Sequence, residues 1–213
     1  AVDLAAKYPD KLEEMKKSFL ALAADNKAFP IGAGNWLRLH PEDRIKTPYT
    51  TWHFSQNTKR MPEFAAPGVG RQSTHVTLEV ETGEKASGVL YAVGGSGGGL
   101  TLYMDQGQLV YEYNMMIIEQ YTARSATPLT AGKHTIEVLT DIKGPGQAGT
   151  VRLVVDGTEV GTTDLKRTVP AAFTATETFD VGVDLGSTVS LSYFDRRPFR
   201  FSGKINALTV SLK

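Results

Sequence analysis

The sequence predicts an all-β protein, an antiparallel β-sandwich with one amphipathic helix at its N-terminal end. In 100–114, apolar and polar residues alternate on both sides of Asp105-Gln106-Gly107, which is typical of a β-hairpin with one buried face. Similar short segments recur through 49–213, separated by turn residues about every 8–12 positions. The first 30 residues instead show the periodicity of a helix.

The helix is predicted from a stripe of apolar residues at spacings of three and four. The stripe consists of Leu12, Met15, Phe19 and Leu22. Pro9 suits the first turn, because its missing N–H would have no partner there. Pro30 and Gly32 are expected to end the helix. We therefore assign 1–30 to the helix, and we assign 31–48, which is rich in Gly, Pro and charge, to a connector.

The strand predictions begin near Trp52 and continue to the C-terminal end. Strands are predicted at 73–81, 88–93, 100–104, 109–114, 115–121, 132–142, 150–155, 158–162, 179–183, 199–201 and 205–212. Asp156-Gly157 predicts a second tight hairpin, since these residues tolerate the positive φ of a primed turn. Because no helical crossovers separate the segments, we expect antiparallel pairing in a sandwich.

Composition excludes several classes of function. Lys plus Arg and Asp plus Glu are both 23, which argues against a nucleic-acid partner or an anionic membrane. The absence of cysteine excludes disulfides, thiolate metal sites and a cysteine nucleophile. No apolar run approaches the roughly 20 residues of a membrane span. Because the chain begins with Ala1 and shows no leader, we expect a processed chain or a piece of a longer protein.

One glycine-rich segment matches the G-x-S-x-G pattern of a hydrolase nucleophile. Such a serine needs a strand-to-helix turn above a parallel sheet, whereas a strand is predicted directly after Ser96. We therefore interpret Gly94–Gly99 as a loop between strands rather than as a catalytic elbow.

Paired carboxylates raise the possibility of glycoside hydrolysis. Glu79 and Glu81 share one face of a predicted strand, as the acids of a sandwich-fold glycosidase would. Thr82-Gly83 predicts a turn that removes Glu84 from that face. Solvated carboxylates on the outer face are therefore the better interpretation.

Metal binding has little support in the spacing of possible ligands. The four histidines, His40, His53, His75 and His134, form no i, i+2 or i, i+4 pair with another ligand. Asp180 and Asp184 lie on one strand face near a loop, where calcium is often bound at a sandwich rim. Because two carboxylates often share a strand face by chance, we assign no metal ligand. Whether Asp180 and Asp184 bind calcium stays an open question.

Tyrosines offer a candidate surface for a sugar ring. Tyr103 faces away from Leu102 and Met104, so we expect it on an exposed face, where its ring could stack on a sugar. Tyr111 and Tyr113 align with Leu109 and are expected in the core, with their hydroxyls hydrogen-bonded.

The sequence also resembles one family. Residues 3–15, continuing to 29–31, resemble the last helix of the arylsulfatases of the alkaline-phosphatase-like superfamily. The segments that resemble the tail of long bacterial arylsulfatases are 59–63, 65–67, 88–90, 109–114, 131–134, 155–157 and 179–184. The resemblance implies that 1–30 is the C-terminal helix of a sulfatase subdomain, 31–48 a connector, and 49–213 a concanavalin-like or jelly-roll sandwich.

The family's catalytic groups have no counterpart in this chain. Its nucleophile is a formylglycine made from Cys or Ser in a Cys/Ser-x-Pro-x-Arg motif, beside a calcium ion held by Asp and Asn. This chain has no cysteine, and none of its serines is followed by x-Pro. The resemblance therefore implies no catalytic, cofactor-binding or metal-binding residue here. It implies that this chain alone is not an enzyme, and it places calcium in a catalytic domain that lies upstream. The compartment stays unknown, since the bacterial periplasm and the cytoplasm are both open.

Three hypotheses of function follow. The first is an accessory module that packs on a sulfatase catalytic domain, in cis or as a cleaved partner, through the apolar stripe, Trp36 and Leu37. The second is a carbohydrate-binding, lectin-like module that uses the Tyr103 face or the Gly94–Gly99 loop. The third, a sandwich glycosidase acting through Glu79 and Glu81, has the weakest support.

Overall fold

A computed structural model describes residues 3–28, 40, 48–174 and 176–213. The chain divides into two compact units, 1–45 and 46–213, and each is described by itself. Most of the connector predicted at 31–48 lies outside the described residues. So do Pro30 and Gly32, the expected end of the helix.

The first unit contains the predicted amphipathic helix. Helix α1 runs from Pro9 to Asp25, with the proline in its first turn. Its last residue, Asp25, lies five residues before the expected stop at 30, and the backbone N–H of Asn26 donates to Leu22 O. Its apolar stripe is exposed at Met15, Phe19 and Leu22. No helix in the described part of the chain is long and apolar enough to cross a membrane.

The second unit is a sandwich of two six-stranded antiparallel sheets, which confirms the predicted fold class. Sheet A has the order β1-β12-β3-β8-β9-β10, and sheet B has the order β2-β11-β4-β5-β6-β7. The strands are β1 (Thr51–Phe54), β2 (Met61–Pro62), β3 (Thr74–Thr82), β4 (Gly88–Gly95), β5 (Gly98–Asp105), β6 (Gln108–Met115), β7 (Glu119–Arg124), β8 (Gly132–Ile142), β9 (Gly149–Val155), β10 (Thr158–Leu165), β11 (Thr178–Val181) and β12 (Lys204–Leu212).

Two hairpins confirm the prediction made from turn residues. Gln106 and Gly107 join β5 to β6 with φ values of 50° and 85°. Asp156 and Gly157 join β9 to β10 with φ values of 50° and 80°. In both turns two successive residues have positive φ, and the second of them is glycine. Glycine adopts positive φ with the least steric strain.

The main core lies between the two sheets and is built from the inward residues of the alternating strands. Tyr111 and Tyr113 are both buried there, as expected. The hydroxyl of Tyr113 donates to Gly70 O (2.7 Å) and accepts from Val169 N (2.8 Å), so its polar end is paired inside the core.

A second apolar cluster lies on the other face of sheet B. There a cover segment, residues 184–199, packs on the strands and includes a 3₁₀ helix at Leu191–Arg196. The cluster consists of Val89, Ala92, Tyr103 and Val110 from the strands with Val189, Tyr193 and Phe199 from the cover segment. Arg196 fixes the segment to the sheet through two bonds to Asp105, at 2.8 and 3.0 Å.

Two strand predictions are wrong. The strand predicted at 115–121 is interrupted by a turn at 116–118, and β7 begins only at Glu119. The strand predicted at 199–201 is only an isolated bridge between Val89 and Arg200.

Candidate ligand groove

Tyr103 was predicted on an exposed face, and the structure contradicts this. Its side chain is 0% exposed. Its ring centroid lies 5.1 Å from that of Tyr193 and 6.2 Å from that of Phe199. Its hydroxyl donates to Glu112 Oε1 (2.6 Å), and burial raises the pKa of Tyr103. A ring enclosed by the cover segment cannot serve as a platform for a sugar.

The loop predicted at Gly94–Gly99 is confirmed only at its centre, because the glycines at both of its ends are strand residues. Gly95 ends β4, Gly98 begins β5, and Ser96 and Gly97 form the turn. The backbone N–H of Ser96 donates to Ser187 Oγ (3.0 Å). A Cβ at Gly95 would lie 2.3 Å from the same oxygen, so glycine permits this close approach.

The paired glutamates lie on the outer face of sheet A, as solvated carboxylates were expected to do. They line a polar groove of about 460 Å³ with Lys133, His134, Asp156 and Asn206 among its other residues. Glu79 is exposed, and Glu81 accepts from Asn206 Nδ2 at 3.1 Å. Glu84 lies beyond the end of β3, as the turn at 82–83 predicts.

His134 in the same groove lies between two hydrogen-bond acceptors, which favour its charged form. Its Nδ1 lies 2.7 Å from Asp156 Oδ2 and its Nε2 lies 2.9 Å from Thr130 O. A carboxylate and a carbonyl both accept hydrogen bonds, and only the protonated imidazole can donate to both of them at once. Although burial opposes the charge, these bonds raise the pKa of His134.

Asp180 and Asp184 bind donors of the fold itself. Asp180 accepts from Arg60 N (2.6 Å) and Thr178 Oγ1 (2.8 Å). Asp184 Oδ2 accepts from Val189 N (2.9 Å) and from the hydroxyl of Tyr193 (2.6 Å). Over the described ranges, no group of three or more His, Asp or Glu could hold a metal ion.

A more apolar groove of about 530 Å³, the tip groove, lies where two turns of sheet B meet the cover segment. Its lining residues are Ser96, Asn114, Ile117, Ile118, Glu119, Gln120, Val189 and Leu191. Ser96 belongs to the β4–β5 turn and 117–118 to the β6–β7 turn, while Val189 and Leu191 belong to the cover segment. The Gly94–Gly99 loop therefore contributes to a groove, although the Tyr103 face does not.

Asn114 joins the two turns. This residue is buried at the end of β6. Its Nδ2 donates to Ser96 O (3.0 Å), and its Oδ1 accepts from Ile117 N (2.9 Å). One amide side chain therefore sets the distance between the two walls of the groove.

The β6–β7 turn has an unusual sequence for its conformation. Ile118 N donates to Met115 O (2.9 Å), and the two residues between them, Met116 and Ile117, have φ values of 51° and 64°. This is a type I′ turn, for which Asn-Gly is strongly preferred. Positive φ in such residues costs about 1–3 kcal/mol each. The fold thus holds an unfavourable turn at this end of the sheet.

This turn presents aliphatic side chains to solvent. Ile117 is 75% exposed and Ile118 65%, and across the groove Leu191 is 71% exposed. Strained backbone and exposed apolar groups at one place are typical of ligand-binding sites.

Polar groups without internal partners lie beside these aliphatic side chains. Within the described part of the chain, neither Ser96 Oγ nor the Gln120 amide makes an intramolecular hydrogen bond, and both residues are exposed. Glu119, in contrast, is paired with Arg167 (2.9 Å) and accepts from the hydroxyl of Tyr121. The groove combines apolar walls with polar groups that can accept and donate, as ligand sites do.

Sequence analysis missed most of this groove. Ile117, Ile118 and Gln120 fell in or beside a predicted strand, and Leu191 fell between predicted elements. The available signal was the run of four successive apolar residues at 115–118, which breaks the alternation of its neighbours.

Comparison with known proteins gives no matching family model and no matching curated protein. Among solved structures, the CBM40 module of the Ruminococcus gnavus IT-sialidase matches with a TM-score of 0.54 and 18% identity, over 76% of this chain and 90% of that chain. The LG4-5 domains of the mouse laminin α1 chain match with a TM-score of 0.49 and 17% identity, over 80% of this chain and 44% of that chain.

A third similar structure is the galectin LEC-6 of Caenorhabditis elegans, with a TM-score of 0.44 and 12% identity, over 78% of this chain and 99% of that chain. None of these three structures is a sulfatase. Identities this low show the fold alone. The similarity to the CBM40 module establishes that this chain contains a jelly-roll-like β-sandwich.

Proposed function

We propose that this chain is a lectin-like module that binds a carbohydrate in the tip groove. The observation that carries the proposal is the strained turn that exposes Ile117 and Ile118 beside the unpaired polar groups of Ser96 and Gln120. The fold shared with a CBM40 module supports the same assignment.

Carbohydrates match the mixed chemistry of this groove. A sugar presents C–H faces, which can cover aliphatic side chains, and hydroxyls, which both donate and accept. Ser96 Oγ and the Gln120 amide can likewise both donate and accept hydrogen bonds. Complete burial of an aliphatic side chain contributes about 1.5–3 kcal/mol, so partial cover of two or three of them supports a weak, specific site.

The turn offers a test that separates binding from folding. We expect the double variant M116N/I117G to be more stable than the wild type by about 1–2 kcal/mol, because Asn-Gly suits a type I′ turn. We expect the same variant to bind glycan at least about tenfold more weakly, because it lacks the exposed Ile117 side chain. Urea denaturation measures the first effect, and titration calorimetry with a glycan identified on an array measures the second.

A matched control lies in the polar groove on sheet A. Glu79→Gln should leave glycan affinity unchanged, since Glu79 is exposed and lies in the other groove. If Glu79→Gln lost glycan binding while M116N/I117G kept it, the glycan site would lie in the polar groove on sheet A. That result would refute the proposal.

The accessory role implied by the sulfatase resemblance stays a second proposal. The exposed apolar side chains of Met15, Phe19 and Leu22 support it, because an amphipathic helix gains stability by covering such a stripe. We expect the purified chain to show no hydrolysis of p-nitrophenyl sulfate, with or without calcium. Metal-dependent turnover that persists after repurification would contradict this expectation.

A further inference from the structure

We infer that the tip groove selects uncharged glycans and discriminates against acidic ones. This inference rests on the proposed function, and it adds the class of ligand. It follows from the charges that line the groove and from those that contact its lining residues.

The lining itself carries one charge, and that charge is negative. Of the eight lining residues, Glu119 is the only charged one, and none is cationic. Ser96 and Gln120, which have hydrogen-bonding capacity to spare, are both neutral. A neutral hydroxyl can pair with either of them, whereas a sulfate or carboxylate of a ligand finds no cation in the lining.

The carboxylates behind the lining have the same sign. Asp184 accepts a hydrogen bond from the backbone of Val189, which forms part of the groove. Glu177 accepts from Ser187 Oγ (2.7 Å), and that oxygen in turn accepts from the backbone of Ser96. Arg167 is the one cation in contact with a lining side chain in the described structure, and it is paired with Glu119 at 2.9 Å. An acidic ligand would therefore meet a net negative field.

The surface next to the groove continues this pattern as far as Glu112, and the cation Arg124 follows two residues beyond Thr122 on the same side of β7. Along β7, Thr122 is exposed two residues beyond Gln120, on the same side of the strand. Its cross-strand neighbour on β6 is Glu112, whose Oε1 accepts from Tyr103 and Ser192. A longer glycan that leaves the groove along β7 therefore meets another carboxylate.

The test compares neutral and acidic glycans that share a backbone. Titration calorimetry of the full chain with lactose against 3′-sialyllactose, and with neoagarohexaose against chemically sulfated neoagarohexaose, provides two such pairs. We expect the neutral member of at least one pair to bind, and its acidic counterpart to bind at least about tenfold more weakly. Raising the salt concentration from 20 to 300 mM should reduce the difference in affinity between the neutral and the acidic glycan, because ions screen the repulsion between the acidic glycan and the carboxylates near the groove.

Gln120 provides charge variants at an exposed position of the groove. Gln120→Lys should strengthen binding of the acidic glycans several-fold, and Gln120→Glu should weaken it further. Both variants should unfold at the wild-type urea concentration, since the side chain makes no internal hydrogen bond.

The outcomes separate this inference from the proposed function. Acidic glycans that bind as tightly as neutral ones, with binding lost in M116N/I117G, would overturn the selectivity and leave the glycan site in place. If no glycan of either class binds on a wider array, the proposed function fails and the selectivity fails with it.

Discussion

Replacing Tyr103 with alanine should lower the free energy of unfolding by about 3–5 kcal/mol, as truncation of a buried aromatic does. The side chain is fully enclosed, and its ring packs against Tyr193 and Phe199. The neighbouring cover segment cannot collapse freely into the cavity, because Arg196 fixes it to Asp105. Urea denaturation measures this loss of stability. The slope of the free energy of unfolding against urea concentration shows whether the substitution also changes the denatured state.

Tyr103→Phe is the matched control for the ring. It keeps the ring contacts and removes the hydroxyl, which donates to Glu112 Oε1, so we expect a loss of about 1–2 kcal/mol. If Tyr103 were an exposed platform, Tyr103→Ala would change stability by less than about 0.5 kcal/mol. That result would contradict the burial described here, and a specific loss of glycan binding would then restore the Tyr103 face as a site.

The sandwich could be predicted because its strands carry their own signal. In β5 and β6, alternation tells which residues point toward the other sheet, and Asp105-Gln106-Gly107 places the reversal between them. The same two signals located β3 and the β9–β10 hairpin. Period-two patterning reports only that the two faces of a strand differ.

What covers the outward face could not be predicted from the strands. Residues 184–199 have no regular periodicity, so nothing in the sequence indicated that they pack on Tyr103. The β6–β7 turn was missed for a similar reason. Met116 and Ile117 have strand propensity, and only contacts from elsewhere, such as Asn114 to Ile117 N, hold them in a turn.

The cover segment also explains where a ligand can bind. Because it fills the outer face of sheet B with Val189, Tyr193 and Phe199, that face offers no open platform. The same segment contributes Val189 and Leu191 to the tip groove at the end of the sheet. The candidate surface therefore lies at the turns and not on the face, and it depends on the position of the cover segment.

Asp184 should make the free energy of unfolding depend on pH. Burial, together with repulsion from Asp180 and Glu177, raises the pKa of Asp184 from 3.8 to about 6, although hydrogen bonds from Tyr193 and Val189 oppose the shift. The unfolded chain releases this proton near the lower value, so between the two values the folded state binds more protons. Raising the pH from about 4 to about 7 should therefore remove about 2–3 kcal/mol of stability through this one group.

Asp184→Asn isolates that contribution. The amide oxygen can still accept from Val189 N and Tyr193, but the side chain no longer titrates. Urea midpoints measured at several pH values should give a difference, wild type minus variant, that falls by about 2–3 kcal/mol between pH 4 and 7. Groups that do not interact with Asp184 cancel in this difference, including His134, whose raised pKa removes stability at higher pH.

In Tyr193→Phe, the loss of stability that accompanies ionisation of Asp184 should occur at higher pH. The substitution removes a hydrogen bond that favours the ionised Asp184 carboxylate. Parallel curves for the wild type and Asp184→Asn would show that Asp184 titrates alike in the folded and unfolded states, which its burial does not allow.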